Sequence, residues 1–564
     1  MSELSRKQFL AAVGTGAVAS VLPATTWAEI GQATGERAQE GALTLEDLKT
    51  ALKPMDLEFA EEDLKKILDS VNRQKNWWKR VREVSDDYSL EPGMSWQMVE
   101  VDGLAAGRVS VRARRVSLRR PSRDEDLAFL SVVELGHLLR TKQVTSVELT
   151  GLYLARLKKY GPKLRCVVNL TEKRAMKEAR RADEEAAKGN WRGPLHGIPY
   201  GVKDLFEADG YPTTWGCKTF ENRKSSHDSD VVAALTKAGG VLVAKLSMGA
   251  LAQGDVWYAG RTESPWDEKI GASGSSAGSG SAVAAGLVAF AIGTETSGSI
   301  VSPCHNSRVT GLRPSFGSVS RTGAMALCWS LDKVGPMCRD AEDCALVFAA
   351  LVSYGGSDRG LVKRPFTYSS GTDLKKIKFG YLVTRQEDAS KPVDPQGKPW
   401  LAKLAEAGAE FVPIYLPPAA EGMYSILYAE CAAAFESFTR NESIEDLEKY
   451  STWPNTFRGA RFIPAVEYIQ SDRARLKLAR QYRDELAKVD IVVADDRVYP
   501  RVYALNLTGH PQTLIPFGQD EKGQTLSFSL ISQAFDEARM LSVAYEIQKR
   551  LKFHLARPDM SKWE

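Results

Sequence analysis

From about residue 126 onward, the chain alternates between helical segments and short apolar segments. The stretches "SVELTGLYLARLKKY" and "DEARMLSVAYEIQKRL" read as helices, whereas "GIPYGVK", "GVLVAKL" and "VAFAIGTET" read as buried strands. Alternation of this kind predicts an α/β fold in which helices cover a central sheet. Short Gly and Pro turns, rather than long linkers, separate the segments.

These short turns indicate one large domain over residues 126–564, although a length of 564 residues by itself would suggest three or four domains. Residues 41–87 read as helical, with a break at Pro54 and Asp56, and the chain then looks irregular or extended up to residue 125. We interpret residues 29–125 as an N-terminal, mainly helical extension of the large domain.

Residues 1–28 have the layout of an export signal. A charged start is followed by a mild Gly/Ala-rich apolar run and an end made of small residues, and the segment resembles a twin-arginine signal with Lys7 in place of the second arginine. We expect export to the periplasm or the exterior of a bacterium. The alternative is an ordinary amphipathic helix on a cytoplasmic protein. The apolar run is short and weak, so we expect no stable membrane anchor.

Cysteine and histidine residues are few and scattered. The seven cysteines form no CxxC pair, and the six histidines show no HxxxH or HExxH spacing. Zinc and redox sites use such spacings, so the sequence disfavours a metal and we expect no cofactor. A net charge of +4 on a chain this long does not indicate an anionic partner, and we expect no nucleic-acid partner.

The stretch "GASGSSAGSGSA", residues 271–282, consists only of Gly, Ala and Ser and yet leads into an apolar run. It lacks the lysine of a Walker loop, and Gly278 and Gly280 are not followed by the third glycine of a dinucleotide-binding loop. The segment "GSSAG" fits the nucleophile elbow of an α/β-hydrolase, with Ser276 as the nucleophile and His510 as a candidate catalytic histidine. However, an elbow needs a strand directly before the serine, and the preceding residues are charged and turn-rich.

A third interpretation uses the surrounding motifs. Lys203 lies in "GIPYGVKDLF", Ser275 lies in the Gly/Ser stretch, and Ser299 lies 24 residues later in "GTETSGSIVSP". The later segments "GLRPSFGSVSRTGAM", "SLDKVGPMCRD" and "NLTGHPQTLIP" continue the pattern. With these motifs in this order, the chain resembles the amidase-signature hydrolases over residues 126–556.

The resemblance implies a fold and a set of roles. The fold is a central mixed β-sheet covered on both faces by helices. Ser299 is implied to be the nucleophile and Lys203 the base, with Ser275 as the bridging serine between them. The peptide bond from Gly274 to Ser275 is cis in that family.

The resemblance also implies an oxyanion hole and supporting groups. We interpret Ser276 and Gly274 as supporting residues, because they flank the bridging serine. The oxyanion hole would be made of the backbone N–H groups of four consecutive residues: Thr296, Ser297, Gly298 and Ser299.

This chemistry works without a histidine. An exposed lysine is protonated and cannot act as a base, but burial disfavours the charged form. The segment around Lys203 is apolar, with Ile198, Val202, Leu205 and Phe206 close in sequence. We therefore expect a neutral amine that takes a proton from Ser275, which in turn takes one from Ser299.

Many relatives carry an arginine shortly after the nucleophile, whereas this chain has Val301 and Ser302 there. We therefore expect neutral amides, small or peptide-sized, to be the substrates. The form "GTETSGSI" is similar to the peptide-amidase-like branch of the family. An amidotransferase-type glutaminase subunit stays open as an alternative function, as does a serine esterase that uses Ser276. A homodimer is a further open alternative.

Overall fold

The computed structural model describes residues 42–55, 57–84, 108–440, 443–498 and 501–564. The proposed export signal lies outside these ranges. Within them, no helix is long and apolar enough to cross a membrane.

The described residues contain seventeen strands, most of which join one large sheet. The strands are β1 (Val109–Arg112), β2 (Val167–Leu170), β3 (Pro199–Lys203), β4 (Val241–Leu246), β5 (Val256–Trp257), β6 (Gly260–Arg261), β7 (Glu263–Ser264), β8 (Asp267–Gly271), β9 (Phe290–Glu295), β10 (Thr310–Arg313), β11 (Lys333–Cys338), β12 (Phe366–Ser369), β13 (Phe379–Leu382), β14 (Phe411–Ile414), β15 (Ile491–Asp495), β16 (Gln512–Gln519) and β17 (Thr525–Ile531).

The large sheet has eleven strands in the order β14-β13-β15-β17-β16-β10-β11-β9-β3-β4-β2. It is mixed. Strand β3 runs parallel to both of its neighbours, β4 and β9, whereas β9 and β11 are antiparallel. The apolar segments that we interpreted as strands are β3, β4 and β9, and this prediction is confirmed.

The same ranges contain eighteen α-helices. They are α1 (Leu45–Leu52), α2 (Glu61–Val84), α3 (Asp124–Leu127), α4 (Val132–Arg140), α5 (Ser146–Leu164), α6 (Glu172–Ala187), α7 (Asp230–Lys237), α8 (Ala277–Ala284), α9 (Val301–Ser307), α10 (Ala341–Tyr354), α11 (Pro399–Glu406), α12 (Tyr424–Ala434), α13 (Glu436–Arg440), α14 (Ser443–Glu448), α15 (Trp453–Ala460), α16 (Ala465–Leu486), α17 (Val502–Thr508) and α18 (Glu537–Leu551).

The central strands are buried on both faces. Neighbouring side chains of a strand point to opposite faces, and in β4 Leu242 joins one core cluster whereas Val241 and Val243 join another. Strand β9 behaves in the same way, because Ile292 belongs to the first cluster and Ala291 to the second. A sheet with apolar cores on both faces is the expected architecture, in which helices cover each side.

The described part of the N-terminal extension packs against the second half of the chain. Helix α2 contacts α15 and α16, and Arg82 of α2 forms an ion pair with Glu467 of α16. A second ion pair joins Asp63 and Arg458 at 3.1 Å. Strand β1 pairs in parallel with β12, with Val109 opposite Phe366.

Candidate active site

The candidate site begins where two neighbouring parallel strands end. Lys203 is the last residue of β3, and Val202 lies opposite Ile292 of β9. Parallel neighbours end at the same edge of a sheet, so Lys203 comes close to Thr294 near the end of β9. The Lys203 amine donates to Thr294 Oγ1 at 3.0 Å and lies 2.7 Å from Ser275 Oγ, within hydrogen-bond distance. The structure therefore brings the predicted base and the predicted bridging serine together.

Burial lowers the pKa of the Lys203 amine to about 7, although the negative charges of Asp332 and Glu295 raise it. The apolar neighbours expected from the sequence, among them Val202 and Phe206, are themselves buried. An amine with a pKa near 7 is largely neutral above that pH, and a neutral amine can accept a proton.

The loop before Ser275 allows a close approach of two backbone segments. The peptide bond between Gly274 and Ser275 is cis, as the family resemblance implies. A Cβ atom at position 274 would lie only 1.7 Å from the carbonyl oxygen of Gly254, so no side chain fits there. Gly274 thus supports the site by letting the Ser275 loop pack on residue 254.

Ser276 is held in the fold by its hydroxyl group. Its Oγ donates to the Thr294 carbonyl at 3.1 Å and accepts from the Thr294 N–H at 3.1 Å. Its own N–H donates to the Ser299 carbonyl at 3.1 Å, which ties the Ser299 backbone to the loop of Ser275. These bonds fit the supporting role predicted for Ser276.

The nucleophile-elbow alternative lacks its geometry. Ser276 directly precedes helix α8, but strand β8 ends at Gly271, and no described histidine hydrogen-bonds to Ser276. His510 instead contacts Thr508 Oγ1 at 2.9 Å, and burial, followed by the charge of Arg313, lowers its pKa to about 4.

Glu295 holds the turn that leads into Ser299. Its carboxylate accepts from the N–H groups of Ile300 and Val301, each at 2.9 Å. The other carboxylate oxygen accepts from Arg313 at 3.1 Å and from Asn506 at 2.9 Å. Burial by itself raises the pKa of Glu295, but Arg313 and these donors bring it below its ordinary value. Glu295 is therefore a buried, ionised clamp on this turn.

The turn presents a row of backbone N–H groups, those of residues 296–299. None of the N–H groups of residues 296–299 donates a hydrogen bond within the described part of the chain. Gly298 has a φ of +108°, a conformation that favours glycine. Ser299 is 9% exposed, whereas Ser275 is 1% exposed. Unpaired N–H groups beside the most accessible of the predicted catalytic residues are what an oxyanion hole requires.

Two further residues take part in the site although we did not predict roles for them. Thr294 contacts Lys203 through its hydroxyl and Ser276 through its backbone. Asp332 accepts from Thr296 Oγ1 at 2.6 Å and from two backbone N–H groups of the loop before it. Both lie inside motifs that carry the family resemblance, "GTET" and "SLDKVGP", and this is the sequence signal that could have identified them.

A cavity of about 1600 Å³ is lined by Thr294, Thr296 and Asp332, and so adjoins the site. It is also lined by Lys333, another buried lysine, whose pKa is lowered to about 7 by burial and by Arg313. The Lys333 amine contacts the carbonyl oxygens of Leu331 and Asn506 rather than either predicted catalytic serine. Among the residues in the described ranges, no group of three or more His, Cys, Asp or Glu side chains could hold a metal ion.

Comparison with known proteins gives a consistent result. The family model described as Amidase matches residues 148–493. The chain belongs to the amidase family. It is 31% identical over 480 residues to a glutamyl-tRNA(Gln) amidotransferase subunit of Coxiella burnetii, an alignment that covers 76% of this chain and 99% of the relative. As a member of the amidase family, the chain is an enzyme that hydrolyses amide C–N bonds.

Solved structures of the amidase family share its fold. The peptide amidase of Stenotrophomonas maltophilia matches with a TM-score of 0.63 and 28% identity, over 76% of this chain and 98% of the other. An amidase family protein of Bacillus anthracis matches with a TM-score of 0.67 and 25% identity, over 77% and 93% of the two chains. The predicted fold, a mixed sheet covered by helices, is confirmed.

Proposed function

We propose that this amidase cleaves its substrate through an acyl-enzyme on Ser299, with Ser275 and Lys203 relaying the proton. The observation that carries the proposal is the 2.7 Å contact between Lys203 Nζ and Ser275 Oγ in a fully buried setting. A buried lysine beside a hydroxyl group can be neutral and accept the hydroxyl proton, whereas a surface lysine is protonated and cannot act as a base.

The reaction would proceed in two halves. Lys203 accepts the proton of Ser275 while Ser275 accepts that of Ser299, and Ser299 Oγ forms a bond to the carbonyl carbon of the amide. The N–H groups of residues 296–299 stabilise the oxyanion, and Ser275 then passes a proton to the departing nitrogen. Water attacks the ester in the second half by the same proton path and releases the carboxylic acid.

A covalent probe tests the assignment of the nucleophile. The substitution Ser299→Ala should abolish labelling by a fluorophosphonate and lower the rate by about 10⁴- to 10⁶-fold, the loss typical of a removed nucleophile. Ser273→Ala is the matched control, because the Ser273 hydroxyl is buried in the same loop and has no hydrogen-bond partner among the described residues. Full activity in the Ser299 variant would reject the proposal.

We further propose that the substrates are neutral amides. Val301 and Ser302 follow the proposed nucleophile. Three arginines line the cavity, Arg321, Arg359 and Arg475, and the first and the last are each paired with an aspartate. A substrate carboxylate next to Ser299 would meet Val301 and Ser302 instead of a cation, and burying a charge without a partner costs free energy. We expect a neutral amide to have a higher kcat/KM than the same amide with a nearby carboxylate. Preference for the charged substrate would contradict this.

The similarity to an amidotransferase subunit favours a second candidate function, the release of ammonia from glutamine. Glutamine carries a carboxylate and an ammonium group, so it is a poor match to the neutral-substrate proposal. Purified protein should release ammonia from glutamine at least about tenfold more slowly than from a neutral peptide amide. The reverse order would favour the amidotransferase-type function.

We also propose that the enzyme is exported, on the basis of residues 1–28 alone. A reporter fused to this segment should reach the periplasm of a bacterial host, and changing Arg6 and Lys7 together to Gln should keep it in the cytoplasm. A cytoplasmic reporter with an intact N-terminus would exclude export.

A further inference from the structure

The cavity beside the proposed catalytic serines is built from distant parts of the chain. Residues 321–334 and 357–362 form part of its wall. Helix α16 adds side chains at three- and four-residue spacing, including Tyr468, Ile469 and Asp472, which lie on one face of the helix. The volume of about 1600 Å³ exceeds the roughly 300–1,000 Å³ of a typical small-ligand pocket. A simple short amide would leave most of it empty.

Large apolar side chains are concentrated at this cavity. Only eight such side chains are exposed in the part of the chain that the structure describes. Three of the eight line the cavity: Trp329, Val362 and Ile469, with exposed fractions of 49%, 40% and 47%. Exposed apolar groups that gather around one opening mark a surface that is covered when a ligand binds.

Several polar groups of the cavity wall bind one another. Arg321 pairs with Asp358 at 2.7 Å. Glu430 accepts from the Ser330 N–H at 2.9 Å and from the Tyr468 hydroxyl at 3.0 Å. A charged ligand would have to compete with these bonds, whereas an apolar ligand would leave them intact.

The proton path decides which part of the substrate lies in the cavity. In the proposed mechanism the departing nitrogen receives its proton from Ser275, which is buried and is not among the described residues that line the cavity. Thr296, in the proposed oxyanion turn, does line it. Ser299 is likewise not among the described lining residues, so the cavity meets the site at Thr294 and Thr296. With the nitrogen turned toward Ser275, the acyl side is the part of the amide left to extend past this turn into the cavity.

We propose that the enzyme selects amides with a large apolar acyl group, and that Trp329, Val362 and Ile469 are specificity-determining residues that cover this group. The inference rests on the proposed function, because it uses Ser275 to orient the amide. The apolar group could be an alkyl chain or the apolar side chains of a peptide amide, and the substrates tested distinguish these two sources.

The test uses primary amides, in which only the acyl side varies, and follows ammonia release by the full-length protein. The straight-chain series runs from acetamide to octanamide, and acetyl-glycinamide and acetyl-phenylalaninamide form the peptide pair. Burial of one methylene group corresponds to about a fourfold gain, so kcat/KM should rise by about two- to fourfold per added methylene. A rise in the straight-chain series indicates an alkyl ligand, and a preference for the phenylalaninamide indicates a peptide ligand. Both support the proposal.

Two variants on one helix provide the matched comparison. Ile469→Ser should lower kcat/KM for the best long or aromatic substrate at least about fivefold and leave that for acetamide within twofold. Val466→Ser is the control, because Val466 is 65% exposed on the same helix α16 and is not among the described lining residues. It should leave both values unchanged. Trp329→Ala should repeat the selective loss in a second segment of the wall.

The outcomes separate this inference from the function on which it rests. An active, probe-labelled enzyme with equal kcat/KM for short and long acyl groups would overturn the inference and leave the proposed function intact. Equal losses for acetamide and octanamide in the Ile469 variant would overturn it as well. A wild-type protein that neither binds the probe at Ser299 nor releases ammonia from any of these amides would instead reject the proposed function.

Discussion

Replacing Glu295 by Gln tests whether a buried charge holds the turn before Ser299. One carboxylate oxygen accepts from the N–H groups of Ile300 and Val301, and the other accepts from Arg313 and Asn506. All four partners are donors. A glutamine has a single acceptor oxygen, so in either orientation its NH₂ group faces two donors.

The expected cost follows from burial. Glu295 and Arg313 are both fully buried, and Gln leaves the guanidinium without its counter-charge. Breaking a buried ion pair from one side destabilises a protein by about 3–5 kcal/mol. The turn that carries the proposed oxyanion donors would also loosen. We expect kcat to fall on the order of 10- to 100-fold, which is at most the lower end of the roughly 10²- to 10³-fold loss that follows removal of one oxyanion-hole donor.

Urea unfolding, monitored by circular dichroism, measures the free energy of unfolding. Turnover of an amide substrate measures the expected fall in kcat. Glu387→Gln is the control, because the ion pair between Arg385 and Glu387 is exposed and its loss should leave both quantities unchanged. If Glu295→Gln is within about 1 kcal/mol of the wild type and fully active, the clamp does not hold the turn.

Further predictions concern the proton path. Because burial lowers the pKa of Lys203 to about 7, kcat/KM should rise with pH through about 7, and at pH 6 it should be roughly a tenth of its plateau value. The variant Lys333→Met should keep this pH profile. If that variant loses the pH step, the step belongs to Lys333. Lys203→Ala should lose most activity near neutral pH and regain some at high pH, and unchanged activity at pH 7 would exclude it as the base. Ser275→Ala should be severely impaired in a chromogenic amide assay, whereas Ser276→Ala should cost less, since among the described residues its hydroxyl bonds only to the Thr294 backbone. The opposite order would favour Ser276 as the nucleophile.

The sequence by itself determined the fold class and the positions of the chemical groups. Strands such as β3 and β9 are runs of apolar residues bounded by turns, and this signal is local. Lys203 and the serines lie in contiguous motifs, so their positions could be predicted without knowledge of distant parts of the chain. The roles of Ser299 and of the oxyanion turn remain predictions that the experiments above test.

Helix α8 required the tertiary structure. It lies in the Gly/Ser stretch, which has no amphipathic pattern because all eight of its residues are buried. Small residues are needed there for close packing, since a Cβ atom on Gly278 would lie 2.4 Å from the Ser247 backbone nitrogen. Composition of this kind is equally typical of a linker, so the sequence pattern does not predict a helix here. The helix is stabilised by the tertiary structure, which buries this segment on all sides.

The environment of the site was decided by contacts between distant residues. Glu295 meets Asn506, which is 211 positions away, and the cavity takes one wall from α16, far along the chain from Ser299. Sequence patterns report local periodicity, whereas a pKa near 7 for Lys203 depends on every segment that excludes water from its amine. The chain therefore specifies its reactive groups locally, and only the folded sheet, with helices on both faces, determines their electrostatics and the space open to a substrate.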